Sequence, residues 1–338
     1  MSDQPIFSRR GVRLLLLLSV ALILIGLPRF DRNDWLIGSL TSEGQDASTQ
    51  LADSDIYIKT IEWIRGEGNE SELMAPWSYR LLVPLLAAPL PVRPITGINL
   101  VNLLFLIPTL FLLFAVQRRI GIGENLALFG CGVFIFSFPT FYYSTVGYVD
   151  PVLLFALALG LFLILEKRWL GASLVIGIGS LAKEGTIILL PLLAVALFLQ
   201  RRSWKDVIPW TAIALILWGA VWFATRKLVP VGNAFQWEAT SDQLSMNLTR
   251  ARSWLTLALC AASLFFPFVV AIVRRWTIRI PRLQGDYLIL WTGLFFSVAY
   301  YLYSWIVAYV DGRMFWPIYI FAIPLVMASL IQGKTRRA

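Results

Sequence analysis

Residues 97–119, GINLVNLLFLIPTLFLLFAVQRR, decide the fold class of this protein. Residues 97–117 carry no charge and lead directly into Arg118 and Arg119. A run of ~20 apolar residues is the length of a helix that crosses a bilayer. Lys and Arg collect on the cytoplasmic side of such helices, so the arginine pair marks the inner end of this one. Comparable apolar runs follow in both directions along the chain.

The composition is that of an integral membrane protein. Of 338 residues, 58% are hydrophobic and 14% are charged, and the mean hydropathy is +0.72. The net charge of +9 comes from short basic flanks on apolar runs, which indicates membrane orientation and not nucleic-acid binding. The sequence contains no histidine, which excludes Ser-His-Asp and Cys-His nucleophile systems and His-ligated metal sites. Cys131 and Cys260 lie inside apolar runs and are predicted to be packing residues.

About ten apolar runs are expected to cross the membrane, giving an all-α polytopic transmembrane bundle that forms a single domain over residues 1–338. We place these spans at residues 11–27, 97–117, 124–144, 148–166, 169–182, 186–200, 207–225, 253–273, 287–309 and 315–332. Most of the 29 basic residues then lie at the inner ends, and both termini are cytoplasmic.

Two stretches leave the number of spans open. Residues 79–92 are apolar but short and rich in proline, so we interpret them as an interfacial helix. Counted as a span, they would reverse the sidedness of every later loop. Residues 169–200 form either one long helix or two short spans, and the polar turn Lys183-Glu184-Gly185 in their middle favours two.

Two long loops fall on the outer side, at residues 29–94 and 227–252. In the first, Tyr57, Ile61 and Ile64 share one face of a run that opens at Asp53, which predicts an amphipathic interfacial helix. The acid at its start is also explained as a cap that favours the positive end of the helix. In the second loop, Gln236-Trp237-Glu238 places an indole beside an acid, as in a sugar-stacking site or an interfacial anchor.

Further charges lie on the same predicted face: Asp150, the Lys183-Glu184 turn, and Asp311 with Arg313. Each alone is explained by a snorkelling side chain, a helix cap or a local ion pair at the end of a span. Together with Asp53, they are better explained as one polar cavity in an otherwise apolar protein. Paired acids and converging cations suit an anionic substrate and a proton-accepting carboxylate.

The order of these features resembles the GT-C superfamily of polyprenyl-phosphate-sugar-dependent glycosyltransferases, which includes the aminoarabinose transferases of lipid A and the protein O-mannosyltransferases. The resemblance covers most of the chain and rests on short motifs in a common order. These are Asp53 four residues before Tyr57, the segment APWSYR that ends at Arg80, Asp150 after the third span, LAKEG with Lys183-Glu184, and the Asp-x-Arg segment at 311–317.

The resemblance implies a small bacterial inner-membrane enzyme that transfers a sugar, with inversion, from a polyprenyl-phosphate carrier to an unidentified lipid, glycan or protein hydroxyl at the extracytoplasmic face. It implies that Asp53, or in second place Asp55, is the general base. The implied substrate-binding residues hold the sugar or stabilise the phosphate leaving group: Tyr57, Arg80, Asp150, Lys183, Glu184, Asp311 and Arg313. Aromatic residues at 300–305 would line a groove for the isoprenoid, unless they only pack the spans.

No metal ligand is assigned. Without histidine, a carboxylate-held Mg²⁺ or Mn²⁺ is the only cofactor that stays conceivable. Two other functions remain open. An ion-coupled transporter of an anionic or sugar solute would also use membrane acids and bases, but it predicts charges near the bilayer midplane and an internal repeat. An undecaprenyl-linked glycan polymerase or ligase would likewise use outer-face arginines.

Overall fold

The protein is almost entirely helical in a computed structural model that describes residues 6–30, 52–201, 203–234 and 239–330. The helices are α1 Arg9–Gly26, α2 Ala52–Ile64, α3 Leu82–Ala87, α4 Pro94–Arg119, α5 Glu124–Ile135, α6 Phe138–Tyr143, α7 Asp150–Leu165, α8 Trp169–Gly179, α9 Leu189–Arg201, α10 Trp204–Leu228, α11 Ser241–Thr249, α12 Ala251–Val273, α13 Gly285–Val307, α14 Gly312–Phe315 and α15 Ile318–Ser329. Short 3₁₀ turns lie at Leu27–Arg29, Glu70–Glu72, Trp77–Tyr79 and Glu184–Ile188. The predicted all-α class is confirmed.

Within the described residues, five helices are long and apolar enough to cross a membrane: α1 with its following turn, α4, α10, α12 and α13. They leave large apolar side chains exposed, including Leu17, Ile216, Val273 and Phe295. Surfaces of this kind would be penalised in water but not in hydrocarbon. The helices are consistent with a membrane protein surrounded by lipid.

The other predicted spans coincide with shorter apolar helices, at residues 124–135, 150–165, 169–179, 184–200 and 318–329. Whether these also cross the bilayer stays a prediction. Residues 169–200 are interrupted between α8 and the 3₁₀ turn that opens at Glu184, as the polar turn in the sequence predicts. Residues 79–92 contain only the six-residue helix α3, which at ~9 Å is too short to cross.

The centre of the bundle is α7, which is apolar on every side and packs against α4, α8 and α9. Uniform hydrophobicity is expected for a helix that is surrounded by other helices. Asp150 is its first residue, and Pro151 occupies an early position where a missing amide hydrogen costs nothing. The acid is thereby fixed at one end of a buried helix.

The opposite end of α7 holds basic residues. The Nε atom of Arg119, in the last turn of α4, lies 2.7 Å from Glu166 Oε1, just after α7 ends. At the Asp150 end, the two predicted outer loops meet in a short parallel sheet of β1 (Met74–Ala75) and β2 (Asn233–Ala234). The helices thus separate a basic end from an end that carries both long loops.

Candidate functional site

The helix α2 brings one of its two N-terminal acids into the protein. Asp53 is 13% exposed at its side chain, whereas Asp55 lies on the exposed side of the helix. Tyr57 and Ile61 are buried beneath it, as the predicted amphipathic face requires. Two positions along a helix correspond to a rotation of roughly 200°, so the two acids cannot face the same surroundings. Of the two candidate bases, the structure brings only Asp53 to the other site residues.

Polar side chains fix the loop that precedes Asp150. Ser54 donates its hydroxyl to the Val146 carbonyl over 2.9 Å. Asn99 Oδ1 accepts from the Gly147 amide over 2.8 Å, and Asn102 Nδ2 donates to the Tyr148 carbonyl over 2.6 Å. Gly147 has φ +86°, and a β-carbon there would lie 3.0 Å from the hydroxyl oxygen of the serine. Both its conformation and its close contact therefore require glycine.

Asp150 forms a buried ion pair with Lys183. Lys183 Nζ lies 2.5 Å from Asp150 Oδ1, and the two side chains are 7% and 3% exposed. The lysine stands in the break between α8 and the following 3₁₀ turn, which lets its side chain reach the start of α7. Charged groups this deeply buried are seldom tolerated unless they are paired.

A second ion pair lies beside the first. Arg80 Nε is 3.1 Å from Glu184 Oε2, and Arg80 Nη1 donates to the Tyr57 hydroxyl oxygen over 3.0 Å. The Leu82 amide donates to the Leu181 carbonyl over 3.0 Å, which holds the two chain segments together. Burial raises the pKa of Tyr57 to about 12. The phenol therefore stays neutral and can donate its own proton to a bound oxygen.

Arg313 joins two acids from opposite ends of the chain. Its Nη1 atom pairs with Asp53 Oδ2, and its Nε atom lies 3.4 Å from Asp311 Oδ1. The guanidinium lies over the Tyr148 ring, 4.3 Å from the centroid, in a cation–π contact. Asp311 also caps α14 by accepting from the Arg313 amide over 3.1 Å.

Asn247 of α11 holds the backbone that leads to Asp311. Its Nδ2 donates to the Trp305 and Ala308 carbonyls over 2.9 and 2.7 Å, and its Oδ1 accepts from the Val310 amide over 3.1 Å. The side chain is fully buried. Each of these bonds replaces one that the backbone loses where α13 ends. Asn247 is therefore a positioning residue for the late Asp-x-Arg segment.

The structure brings eight of the nine predicted site residues into one group, which we call the ion-pair cluster: Asp53, Tyr57, Arg80, Asp150, Lys183, Glu184, Asp311 and Arg313. Asp55 is the ninth and remains exposed. The pairs are linked along the chain, because Lys183 and Glu184 are consecutive residues and Tyr148, beneath Arg313, lies two residues before Asp150. Three cations face four carboxylates, so the cluster carries a formal net charge of −1.

The described part of the chain has no group of three or more His, Cys, Asp or Glu side chains placed to hold a metal ion. The Mg²⁺ or Mn²⁺ site stays a prediction. The aromatic groove for the isoprenoid also stays a prediction. Tyr301 and Trp305 are buried, and Trp305 packs on Trp254, whereas Tyr303 is 55% exposed. Gln236-Trp237-Glu238 lies outside the described residues.

Several residues of the site have roles that we did not predict from the sequence. Tyr148 lies beneath Arg313, and Asn99 and Asn102 hold the loop before Asp150. The two asparagines did leave a signal, because they are amides three residues apart on one face of an otherwise apolar run. Asn247 is marked in the sequence only by its polar character. Comparison with family models, curated proteins and solved structures gives no match.

Proposed function

We propose that this protein is a membrane glycosyltransferase that moves a sugar from a polyprenyl-phosphate carrier to an acceptor hydroxyl. The observation that carries the proposal is the ion-pair cluster, in which three buried cations meet at one end of apolar helices. Arg80, Lys183 and Arg313 come from three distant segments of the chain. Such a set of cations suits a phosphate that arrives on a lipid, because its charge needs stabilisation where water is scarce.

The cations would stabilise the leaving group. When the acceptor oxygen bonds to the anomeric carbon, the bond from that carbon to the phosphate oxygen breaks, and the electron pair leaves with the polyprenyl phosphate. Arg313 and Arg80 can each offer two N–H donors to phosphate oxygens, and Lys183 adds a compact charge. A leaving group stabilised in this way requires no proton.

Asp53 is the residue that we assign to the acceptor's proton. In the resting arrangement it pairs with Arg313, which also contacts Asp311. A phosphate bound by the arginine would compete with this pairing and free the Asp53 carboxylate to accept the hydroxyl proton as attack proceeds. Asp55, exposed two residues further along the same helix, provides a matched control.

The distribution of charge supports an extracytoplasmic position of the site. The cluster lies at the Asp150 end of α7, and the Arg119–Glu166 pair lies at the other. If the basic end faces the cytoplasm, as Lys and Arg generally do, the cluster and both long loops face outward and the termini inward. The assignment to the bacterial inner membrane rests on the GT-C resemblance.

The test uses purified protein in nanodiscs with a panel of radiolabelled polyprenyl-phosphate sugars. We expect carrier-dependent transfer or slow release of sugar from the wild type. Asp53→Asn should lower the rate by at least about 100-fold, since general-base catalysis contributes on that order. Asp55→Asn should leave the rate within about twofold.

Fluorescence-detected size exclusion would establish that both variants fold. Equal rates for the two Asn variants would refute the assignment of the base. No turnover by the wild type with any carrier, together with solute uptake into proteoliposomes, would overturn the enzyme in favour of a transporter.

A further inference from the structure

Arg226 occupies a position beside the ion-pair cluster that is built from aromatic residues. It lies in the last turn of α10. Its guanidinium carbon is 3.6 Å from the centroid of Trp222 and 4.7 Å from that of Tyr79. Its Nη1 atom donates to the Trp222 carbonyl over 3.1 Å. The two rings hold the guanidinium plane, and its Nε and Nη2 atoms donate no hydrogen bond to the part of the chain that the structure describes.

Arg226 differs from the cations of the cluster in its partners. Arg80, Lys183 and Arg313 each pair with carboxylates, whereas no carboxylate within the described ranges forms an ion pair with Arg226. An arginine that is stacked between rings and pairs with no carboxylate still has N–H donors that can bind an anion. One of its two rings belongs to the residue directly before Arg80, so any anion that it binds lies next to the cluster.

The cluster is also most open on this side. The side chain of Glu184 is 29% exposed, compared with 13% for Asp53, 9% for Asp311 and 3% for Asp150. The Arg80–Glu184 pair is therefore the part of the cluster that an incoming headgroup can reach. Tyr79, against which Arg226 stacks, is the residue directly before Arg80.

The helix α10, which ends just beyond Arg226, exposes large apolar side chains along its length. Ile216 is 67% exposed, Phe223 58% and Leu228 73%. Lys227, the next residue, lies over the Phe223 ring on this outer surface. Arg226 thus stands between an apolar surface suited to a hydrocarbon chain and a buried group of cations suited to a phosphate.

We propose that Arg226, held by Trp222 and Tyr79, binds the phosphate of the polyprenyl carrier as the carrier moves from the bilayer toward the ion-pair cluster. The isoprenoid chain lies along the exposed surface of α10. Arginine suits this role because its planar fork grips phosphate through two hydrogen bonds. The inference rests on the proposed function, since it concerns how the donor of that reaction reaches its site.

The test measures binding of undecaprenyl phosphate to the protein in phosphatidylcholine nanodiscs, followed by tryptophan fluorescence. We expect Arg226→Ala to weaken binding by at least about tenfold, because it removes both charged hydrogen bonds to the phosphate. Arg226→Lys keeps the positive charge but loses the planar pair of donors, so its affinity for the carrier should lie between those of the wild type and Arg226→Ala. Lys205→Ala, which removes an exposed cation at the opposite end of α10, is the matched control and should stay within about twofold.

Competition experiments then identify the ligand. Phosphatidylglycerol and inorganic phosphate should displace undecaprenyl phosphate only weakly; equal displacement by phosphatidylglycerol would mean a general anionic-lipid site and overturn the proposal. Equal affinity of Arg226→Ala and Lys205→Ala would also overturn it. If Arg226→Ala does not fold, Arg226→Gln provides the same comparison.

The two hypotheses fail in different ways. The Arg226 inference fails alone if the wild type shows Asp53-dependent transfer and Arg226→Ala keeps the wild-type affinity for the carrier. The proposed function fails if the wild type transfers no sugar from any carrier, whatever the effect at Arg226. Arg226-dependent binding without transfer would support a carrier site in a protein of another activity.

Discussion

Replacing Lys183 by methionine should destabilise the protein strongly, because it leaves Asp150 charged and buried. The two side chains are 7% and 3% exposed, and the pair is 2.5 Å long. Breaking a buried ion pair by removing one partner costs about 3–5 kcal/mol, since the remaining charge has lost both water and its counter-ion. We expect a loss of that size in the free energy of unfolding, measured in bicelles by steric trapping.

The double variant Lys183→Met with Asp150→Asn separates this cause from simple loss of packing. With both charges removed, we expect the free energy of unfolding to return to within about 2 kcal/mol of the wild type. A double-mutant cycle would then give a large coupling energy. A single methionine variant as stable as the wild type would refute the reasoning.

The Arg119–Glu166 pair at the other end of α7 is the comparison for this cycle. Its side chains are 16% and 31% exposed, so water and ions screen the pair. We expect a coupling energy of about 1 kcal/mol or less there. Equal coupling at the two pairs would show that burial does not set the strength of the Lys183–Asp150 interaction.

Three further outcomes are expected. The pKa of Tyr57 rises on folding to about 12, so burial of the neutral phenol stabilises the protein below pH 10, and this contribution is lost between pH 10 and 12. The loss amounts to about 2–3 kcal/mol in the free energy of unfolding. Tyr57→Phe has no group that ionises, so its free energy of unfolding should fall less steeply over this range. Asn247→Ala should speed hydrogen exchange at the Val310 amide, because it removes the Oδ1 atom that accepts from that amide; exchange at the wild-type rate would show that Asn247 does not hold this backbone. Gly147→Ala should cost more stability than Gly121→Ala, because both glycines have positive φ but only the first has atoms within 4 Å of an added β-carbon; equal losses of about 1 kcal/mol in thermal unfolding would show that the close contact relaxes.

The helical class and the positions of the apolar helices follow from the sequence because they depend on local properties. A run such as residues 97–117 must satisfy its backbone hydrogen bonds internally if it lies in lipid, and helix formation does so without a partner. The break at Lys183 was likewise predictable, since two charges and a glycine interrupt an apolar run. Span boundaries and the number of crossings depend on neighbouring helices, so composition leaves them open.

The site residues could be picked out individually because a charge in an apolar chain is conspicuous. Their pairing could not, because Arg313 meets Asp53 only after the ends of the chain pack together. Tertiary structure also decided that Asp53, and not Asp55, lies beside the other site residues. Both acids begin the same helix, and only the contacts of α2 decide which of its faces is buried.

The sequence by itself determined a helical chain suited to a membrane and the polar residues at the ends of its helices. Tertiary structure decided which of those residues share a site and which remain outside it. It also brought Asn247 and Arg226 to partners that lie far away along the chain. The physical reason is that apolar length and charge are properties of each segment, whereas the burial and pairing of a charge depend on which segments meet.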